Sequence, residues 1–568
     1  MLKKITEGGQ IWAHRISMTK QVLKIAIFSS LVISSGFFIT KTMSIPRIYY
    51  QALYYNIIAS ISEPIDGSVS VNTQFWKKVS SQDSSKEEVE IKASKVKSQS
   101  QKYVKYLKVL TVTNLDKALK VGIFSFFGFL TLFLFKGILS RRKTHVSGKK
   151  ICSPSALKLR LRLTFQASKI KLASLPLVKN TENQHLLVTG ATGSGKTNTF
   201  HHLLPQIRNQ KQRAIIVDTS GEYVAKYYRE GKDILMNPFD KRSVDWHPWC
   251  EGTSISDLKT MSHILVPPSN KEDETFWRKG SQGVVFEALQ KTIDHKTSSL
   301  VNLLLYENLP TLSEAMRGTA ATAFADMSSD KTAGSIRAML ASFVESLELL
   351  KDTQTPFSIK NWVQNNSEDS WLFLHCTVQQ RASVIPLLST WVSIAISGLM
   401  EIKEPDQNRK LWFVMDELAR LNQLKDLEKL VTECRKYGGC AALAIQSPAQ
   451  LEENYGRERT RTILGNCSTR IAFVENDPET ANSISKIFGE TEQIETQEGI
   501  SYGSNSIRDG VNLSFQQKAK PVVSSSSLQA LKKHQAFIKL PGNLPITKIK
   551  LKYQNLPKIS PYFVEKGK

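Results

Sequence analysis

The sequence contains few cysteines, and none of them has the spacing of a metal site. Its 568 residues include no Cys-x-x-Cys pair and only six cysteines, which are Cys152, Cys250, Cys376, Cys434, Cys440 and Cys467. Zinc ribbons need clustered cysteines, and small disulfide scaffolds need many of them. The sequence therefore argues against both classes of protein and predicts reduced, buried thiols in a cytosolic domain.

Acidic residues are also scarce. Lys and Arg number 76 against 51 Asp and Glu, which gives a formal charge of +25. Residues 141–180 contain eleven basic residues and no acidic one. Such an excess favours polyanionic partners, either phosphate backbones or anionic lipid headgroups, although a surface charged only for solubility has the same composition.

Long apolar runs occur at two places, both in the first quarter of the chain. Residues 22–43 and 118–140 have the length needed to cross a bilayer, and Lys136 lies near the end of the second run, where it can reach the interface. No small-x-small cleavage site follows the first run, so a signal peptide is not expected. Two transmembrane helices are predicted, and two buried core helices are the alternative.

The basic flanks of these runs predict their orientation. Five basic residues lie between positions 3 and 24, and the eleven basic residues described above follow the second run. Basic residues accumulate on the cytosolic side of membrane spans. We therefore expect residues 1–21 in the cytosol, residues 44–117 as a periplasmic loop and residues 141–180 as a basic linker that begins a cytosolic domain. This arrangement is a two-pass protein of the bacterial inner membrane.

A glycine-rich loop follows the strand-like segment 186–189 and precedes a helix-compatible segment. Its string GATGSGKT fits the P-loop pattern in the required context, and the predicted nucleotide-binding residues are Gly190, Ala191, Thr192, Gly193, Ser194, Gly195, Lys196, Thr197 and Asn198. Glycines allow backbone N–H groups to surround phosphate oxygens. Lys196 is expected to reach the β- and γ-phosphates and Thr197 to ligate Mg²⁺, so ATP and Mg²⁺ are the predicted cofactors.

Two carboxylates follow the apolar strand LWFVM at 411–415. Asp416 and Glu417 would lie at the carboxyl edge of a buried sheet, where Asp416 holds the Mg²⁺ shell and Glu417 polarises the attacking water. A strand merely capped by acids is the alternative. Gln446 ends another predicted strand, 440–447, beside the same edge, where it can sense the γ-phosphate.

Further apolar runs predict an α/β fold with a parallel sheet buried on both faces. They lie at 213–218, 370–377 and 469–475. The core is predicted in two parts, 181–250 and 351–500, around an all-helical insertion domain at 251–350.

The segment after the two carboxylates has leucines at helical spacing. Leu418, Leu421, Leu424, Leu427 and Leu430 predict an amphipathic helix with a buried stripe. Arg435 follows this helix, and spacing alone leaves it either a surface residue or a group that reaches the ATP of a neighbouring subunit.

Taken together, these blocks resemble the coupling proteins of bacterial conjugation and type IV secretion, the TraD/TraG-like family. Further matching strings are DTSGEY at 218–223, NPFDKRSVDWHP at 237–248, ECRKYGG at 433–439, AIQSPAQL at 444–451 and NCSTRIAFVENDPETA at 466–481. The resemblance covers the two predicted spans, the core from about 150 to 500 and the helical insertion.

The resemblance implies a RecA-like P-loop NTPase that works as a homohexamer. Such a motor hydrolyses ATP, receives relaxase-bound single-stranded DNA and hands it to the components of a type IV secretion channel. The residues that match the family's functional positions are Lys196 and Thr197 of the P-loop, the Walker B pair Asp416 and Glu417, the sensor Gln446, and Arg435, proposed in the family to act in trans. Thr219 and Ser220 depart from the family's common DPKGE pattern, so no role of a lysine at that place is carried over.

Two other functions remain open. One is a receptor that mainly recruits protein effectors to the channel, and the other is a double-stranded DNA translocase of the chromosome-segregation type. Residues 501–568 form a basic segment with twelve basic and two acidic residues, unlike the acidic extension of many family members. This segment is expected either to contact DNA or to be a solvated tail. In the insertion, Arg278, Lys279, Arg317 and Arg337 are candidates for DNA contact or plain helix surface.

Overall fold

A computed structural model describes residues 2–65, 67–80, 87–140, 144–269, 272–325, 330–366, 369–424, 426–501 and 510–566. The chain folds as two compact units, residues 1–144 and 145–568. Residues 141–143 of the predicted basic linker and residues 66 and 81–86 of the predicted periplasmic loop lie outside the described residues.

The first unit is mainly helical. Its elements are α1 (Leu2–Met43), α2 (Arg47–Ser62), β1 (Ser68–Asn72), α3 (Thr73–Ser80), β2 (Glu88–Lys92) and α4 (Ala93–Ser140). Strands β1 and β2 form an antiparallel hairpin in which Ser70 pairs with Glu90. Val71, Phe75 and Trp76 are buried in a small core between this hairpin and the helices. The segment predicted as a periplasmic loop therefore has secondary structure and a core of its own.

The second unit begins with short strands and helices around the P-loop. In chain order they are β3 (Thr144–Gly148), β4 (Ile151–Cys152), α5 (Pro154–Leu163), β5 (Ala167–Leu172), β6 (Leu175–Val178), β7 (Leu186–Thr189), α6 (Lys196–Asn209), β8 (Arg213–Asp218), α7 (Glu222–Tyr227) and β9 (Ile234–Met236). A series of helices follows: α8 (Ile255–Leu265), α9 (Glu272–Lys291), α10 (Thr297–Val301), α11 (Leu309–Met316), α12 (Thr322–Ala325), α13 (Asp330–Val344) and α14 (Ile359–Gln364).

The chain then returns to alternating strands and helices. These elements are β10 (Leu372–His375), α15 (Arg381–Met400), β11 (Leu411–Met415), α16 (Leu427–Thr432), β12 (Gly439–Ile445), α17 (Pro448–Tyr455), α18 (Arg457–Asn466), β13 (Thr469–Ala472), α19 (Pro478–Phe488), β14 (Glu490–Ser501), β15 (Gly510–Pro521), α20 (Ser525–Gln529), β16 (Gln535–Lys539) and β17 (Ile546–Lys550). A π-helical turn spans Asn302–Tyr306, and 3-10 turns include Leu418–Arg420 and Cys434–Tyr437.

A mixed sheet of ten strands forms the centre of the second unit. The strand order is β4-β17-β16-β13-β7-β12-β11-β8-β10-β9. From β13 to β9 all neighbouring strands are parallel, whereas β16 is antiparallel to both β13 and β17. The strands predicted from the apolar runs are therefore present and parallel. Strands β16 and β17 come from the basic C-terminal segment, so the alternative of a solvated tail is wrong for this part of it.

Both faces of the sheet are covered. Every residue of β7, β8, β10, β11 and β12 is buried, because their unbroken apolar runs supply side chains to either face. Neighbouring residues alternate between two cores, with Leu187, Ile215 and Phe413 in one and Val188, Ile216 and Val414 in the other. The first core also contains buried side chains of residues 251–350, such as Leu300 and Leu340, so the helical region packs continuously with the sheet.

Among the residues that the structure describes, three helices are long and apolar enough to cross a membrane. They are Met18–Met43 within α1, Ala93–Lys136 within α4, and α15. In their most apolar windows 11%, 6% and 72% of the residues are buried, respectively. Helix α15 is therefore a core helix of the second unit, whereas few side chains in the apolar windows of α1 and α4 are buried.

The amphipathic helix predicted from Leu418 onward is shorter than expected. All five leucines of its stripe are buried, as predicted, but only the last two lie in α16. The backbone N–H of Asn422 donates to Ser389 Oγ at 3.1 Å, and that of Leu424 donates to Tyr455 Oη at 3.0 Å. Side chains of α15 and α17 thus satisfy the backbone that a helix would otherwise satisfy itself.

Candidate active site

The glycine-rich loop connects β7 to α6 in a tight turn. Gly190 and Gly195 have φ angles of +149° and +130°, which L side chains rarely adopt. A Cβ atom on Gly190 would lie 2.7 Å from Cβ of the buried Phe473, and one on Gly195 would lie 2.9 Å from the Phe473 ring. Phe473 therefore packs directly against the glycines of the loop and leaves no room for side chains there. Helix α6 begins at Lys196, so its free backbone N–H groups point to the mouth of the loop.

Lys196 spans this loop. Its Nζ donates hydrogen bonds to the carbonyl oxygens of Gly190 at 2.7 Å and Ala191 at 3.1 Å. Burial lowers the pKa of Lys196, while the nearby carboxylates of Asp416, Glu475 and Glu417 partly offset this effect. The site thus holds an ammonium group among carboxylates at the N-terminus of a helix.

The two carboxylate oxygens of Asp416 differ in their hydrogen bonding. Its Oδ2 accepts from Thr197 Oγ1 at 2.6 Å and from Tyr223 Oη at 2.8 Å, while Oδ1 is buried and has no hydrogen-bond partner among the described residues. Burial raises the pKa of Asp416, and the two donors oppose that rise. A buried, unpaired carboxylate oxygen beside a hydroxyl fits a hard cation such as Mg²⁺.

The described residues contain no cluster of three or more His, Cys, Asp or Glu side chains arranged to hold a metal. Mg²⁺ commonly takes one or two protein ligands together with phosphate oxygens and water. The pairing of Thr197 with Asp416 therefore suits Mg²⁺ bound with a nucleotide better than a resident metal.

Glu417 faces the same cavity, with one oxygen held. Its Oε2 accepts from Thr219 Oγ1 at 3.1 Å and pairs with Arg420 Nε at 3.1 Å. The sequence singled out Thr219 only as a departure from a pattern and did not single out Tyr223 or Arg420. The contacts of Thr219 and Tyr223 depend on the adjacency of β8 and β11, which no local signal in the sequence indicates, whereas Arg420 is only three residues from Glu417.

A cavity of about 830 Å³ opens at this edge of the sheet. Predicted residues that line it are Thr192, Gly193, Gly195, Lys196, Thr197, Asn198, Asp416, Glu417 and Gln446. Gln446 is exposed at the end of β12, as its position in the sequence predicted.

The C-terminal segment forms another wall of the cavity. Lys533, His534 and Tyr553 line it, and the backbone N–H of His534 donates to the carbonyl oxygen of Ser194 in the P-loop at 3.0 Å. The rings of His534 and Tyr553 lie 5.8 Å apart. No local pattern predicts this wall, because His534 and Tyr553 lie in a basic segment without a recognisable motif.

Asn198 connects the P-loop helix to that wall. Its Nδ2 donates to the carbonyl oxygen of Lys552 at 3.1 Å, and its Oδ1 accepts from the backbone N–H of Gln554 at 2.9 Å. Although Asn198 lines the cavity, both polar groups of its side chain bind protein. Its position therefore indicates that it fastens the wall to α6 in addition to the nucleotide contact predicted for it.

Arg435 does not join the other predicted site residues. It is exposed in the 3-10 turn that precedes β12, whereas Gln446 follows β12. The seven residues of β12 separate the two ends by roughly 20 Å. Arg435 thus lies at the opposite edge of the sheet from Lys196 of its own chain.

Comparison with known proteins gives consistent matches. Residues 169–552 match the family model of the type IV secretion-system coupling protein DNA-binding domain. The coupling protein TraD of Escherichia coli (strain K12) is 32% identical over 451 residues, which cover 77% of this chain and 63% of TraD. The chain therefore spans less than two thirds of the length of that relative.

Solved structures match over a similar region. An unbound form of the bacterial conjugative coupling protein TrwB, lacking an N-terminal portion, has a TM-score of 0.66 and 25% identity, and the match covers 74% of this chain and 96% of that structure. TrwB in complex with ADP and Mg²⁺ has the same TM-score at 24% identity and covers 75% of this chain. The second unit thus has the fold of a P-loop NTPase with a helical region.

Proposed function

Because this chain belongs to the type IV secretion-system coupling proteins, we propose that it is an inner-membrane ATPase that drives relaxase-bound single-stranded DNA into a secretion channel during conjugation. The observation that carries the proposal is the convergence of Lys196, Thr197, Asp416, Glu417 and Gln446 on one cavity. Two of these residues begin helix α6 and the other three follow the neighbouring strands β11 and β12, and together they provide what phosphoryl transfer requires.

When bound, ATP supplies the phosphoryl group, and Mg²⁺ supplies positive charge that offsets the negative charge of the phosphate oxygens. The P-loop N–H groups and Lys196 hold the phosphates, while Thr197 Oγ1 and the unpaired Asp416 Oδ1 would be the ligands for Mg²⁺. Glu417 orients the attacking water, and Gln446 detects the γ-phosphate. The TrwB structures with ADP and Mg²⁺ support this assignment through their shared fold.

The C-terminal wall is proposed to receive the nucleotide base. Tyr553 is 60% exposed and lines the cavity, and aromatic side chains stack readily on bases. His534 lies between Tyr553 and the P-loop, since its ring is near that of Tyr553 and its backbone binds Ser194.

Arg435 is proposed to act on a neighbouring subunit in a homohexamer. In its own chain it is remote from Lys196, and its exposure leaves the guanidinium available at the surface. An arginine supplied in trans stabilises the charge that develops in phosphoryl transfer.

The membrane and DNA parts of the proposal rest on apolarity and charge. Helices α1 and α4 are proposed to span the membrane twice, with residues 44–117 in the periplasm and both ends in the cytosol. The net charge of +25 supports contacts with DNA phosphates. Among the basic candidates of the helical region, Arg278 pairs with Glu274 and packs over Phe343, so we assign it to packing rather than to DNA.

The test is ATP hydrolysis by the full-length protein in detergent, with and without single-stranded DNA, at low salt. The Lys196→Ala variant is the control for contaminating activity. DNA stimulation that this variant abolishes supports the proposal. Hydrolysis that DNA leaves unchanged in assembled protein contradicts it and favours a receptor that recruits protein effectors. Stimulation by duplex DNA alone favours a double-stranded DNA translocase.

A further inference from the structure

The chain after β8 turns around the carboxylate of Asp218. Its Oδ1 accepts from the backbone N–H groups of Ser220 at 3.0 Å and Gly221 at 2.8 Å. Its Oδ2 accepts from those of Tyr223 at 2.8 Å and Val224 at 2.9 Å. Asp218 is buried, and charge-assisted bonds of this kind are among the stronger ones in proteins. Residues 218–223 therefore form a fixed turn.

Neighbouring elements hold the same turn from outside. Gly221 has a φ angle of +82°, and a Cβ atom there would lie 3.0 Å from the Tyr562 ring and 3.3 Å from the His375 ring. Arg381 Nε donates to the carbonyl oxygen of Thr219 at 2.8 Å. Contacts from β10, α15 and the C-terminal segment thus restrict its movement.

Two side chains of this turn reach the two carboxylates of the site. Strands β8 and β11 are neighbours, with Val217 paired to Met415, so the residues after each strand meet at one edge. Tyr223 Oη donates to Asp416 Oδ2 at 2.8 Å, and Thr219 Oγ1 donates to Glu417 Oε2 at 3.1 Å. Each carboxylate therefore receives a donor of its own from a single rigid segment.

We propose that the turn at residues 218–223 is a positioning element that orients the two carboxylates separately, Asp416 through Tyr223 and Glu417 through Thr219. The proposal rests on the ATPase function proposed above. Tyr223 and Thr197 occupy Oδ2 of Asp416, which directs Oδ1 to the cation. Thr219 occupies Oε2 of Glu417, which directs Oε1 to the attacking water.

Thr219 stands where the DPKGE pattern has proline, and its hydroxyl is the donor to Glu417. A proline, as in the DPKGE pattern, has no hydroxyl group and would leave Glu417 without this donor. Arg420 also pairs with Oε2, but its side chain is 47% exposed, and exposed pairs contribute little to fixing a geometry. Thr219 is only 7% exposed, so its hydroxyl holds Glu417 from the protein side.

The proposal predicts that two variants of the full-length protein affect different kinetic parameters. Thr219→Val removes the hydroxyl at nearly constant volume and is expected to lower kcat roughly tenfold without changing the KM for ATP. Tyr223→Phe is expected to raise the half-saturating Mg²⁺ concentration roughly tenfold while kcat at saturating Mg²⁺ stays within about twofold. Thr219→Ser keeps the donor and should restore kcat.

The measurement is steady-state ATP hydrolysis over ATP and Mg²⁺ concentrations, with thermal unfolding of each variant as the control for folding. An unchanged or higher kcat in Thr219→Val overturns the proposal. It is also overturned if kcat and the half-saturating Mg²⁺ concentration change equally in both variants. If Thr219→Val does not fold, Thr219→Ala provides the same comparison.

Failure of the proposed ATPase function is distinguishable from failure of this inference. A wild-type protein that does not hydrolyse ATP would contradict the proposed ATPase function. The Mg²⁺ dependence of binding of a fluorescent ATP analogue to wild type and to Tyr223→Phe would still test this inference. A shifted Mg²⁺ dependence supports the positioning role of Tyr223, and an identical one overturns it.

Discussion

At the residue scale, the site contains a carboxylate whose burial is costly until a cation is bound. Burial raises the pKa of Asp416, and among the described residues only its Oδ2 receives hydrogen-bond donors, so Oδ1 is left unpaired. Such groups are found where function requires them, since an unsatisfied buried charge lowers stability.

The variant Asp416→Asn is therefore expected to separate stability from function. ATP hydrolysis should fall roughly 100-fold or more, because the amide removes the charge that holds Mg²⁺. The melting temperature of the nucleotide-free protein should not fall, but Mg²⁺ with ATP should no longer raise it. Thermal unfolding with and without Mg²⁺ and ATP measures both effects, and a retained ligand-induced rise would contradict the assignment.

His185 provides a second prediction at this scale, and it concerns pH. Its ring is buried, Nδ1 accepts from the backbone N–H of Ala441 at 3.1 Å, and burial lowers its pKa from 6.5 to about 4. Between these two pH values the unfolded chain binds a proton that the folded chain does not. Stability should therefore be intact above pH 6.5 and fall as the pH drops toward 4, by up to about 1.4 kcal/mol per pH unit.

Chemical unfolding of the full-length protein between pH 7 and 5 measures this slope. His185→Asn keeps an acceptor near Nδ1 but does not titrate in this range, so its slope should be smaller. Equal slopes in the variant and the wild type would exclude His185 as the source of the pH dependence.

At the element scale, the wall formed by residues 533–553 predicts a defect in binding rather than in chemistry. Tyr553→Ala should raise the KM for ATP roughly fivefold or more through lost stacking, with kcat nearly unchanged. Tyr553→Phe keeps the aromatic face and should behave as wild type. Because Tyr553 is largely exposed, its removal should not change the melting temperature. A lower kcat with an unchanged KM in Tyr553→Ala would contradict contact with the base.

Elements set by local patterns were predictable from the sequence. The P-loop, the strand before Asp416 and Glu417, and the strand before Gln446 carry their apolar runs and glycines in contiguous segments. The mixed α/β core with a helical region follows from the same patterns and agrees with the fold of TrwB.

Elements that depend on distant partners were not predictable. The helix expected from Leu418 is interrupted because Ser389 and Tyr455 bind its backbone. Strands β16 and β17 lie in a segment whose charge suggested a tail, yet Ala536 and Ile538 are fully buried. The donors to Asp416 and Glu417 come from a turn about 200 residues earlier in the chain, and only the sheet order brings them together.

At the scale of the whole molecule, the position of Arg435 predicts complementation between subunits. Lys196→Ala and Arg435→Ala should each lose hydrolysis as homo-oligomers. If Arg435 acts in trans, oligomers assembled from both variants contain some interfaces with an intact Lys196 on one subunit and an intact Arg435 on its neighbour. Hydrolysis by such mixed oligomers should therefore partly return. Steady-state hydrolysis of co-assembled variants is the measurement. Full activity of Arg435→Ala alone would instead assign Arg435 to the surface.

The wall around the cavity also has a consequence for biosynthesis. The P-loop at residue 190 and Tyr553 are synthesised far apart, and α4 ends more than 400 residues before Tyr553. At about 5–20 residues per second, the ribosome needs roughly 20–80 s to synthesise the chain from the end of α4 to Tyr553. Helices α1 and α4 therefore leave the ribosome well before Tyr553 can complete the wall of the cavity. For the proposed two-pass ATPase, targeting to the membrane can therefore precede completion of the nucleotide pocket.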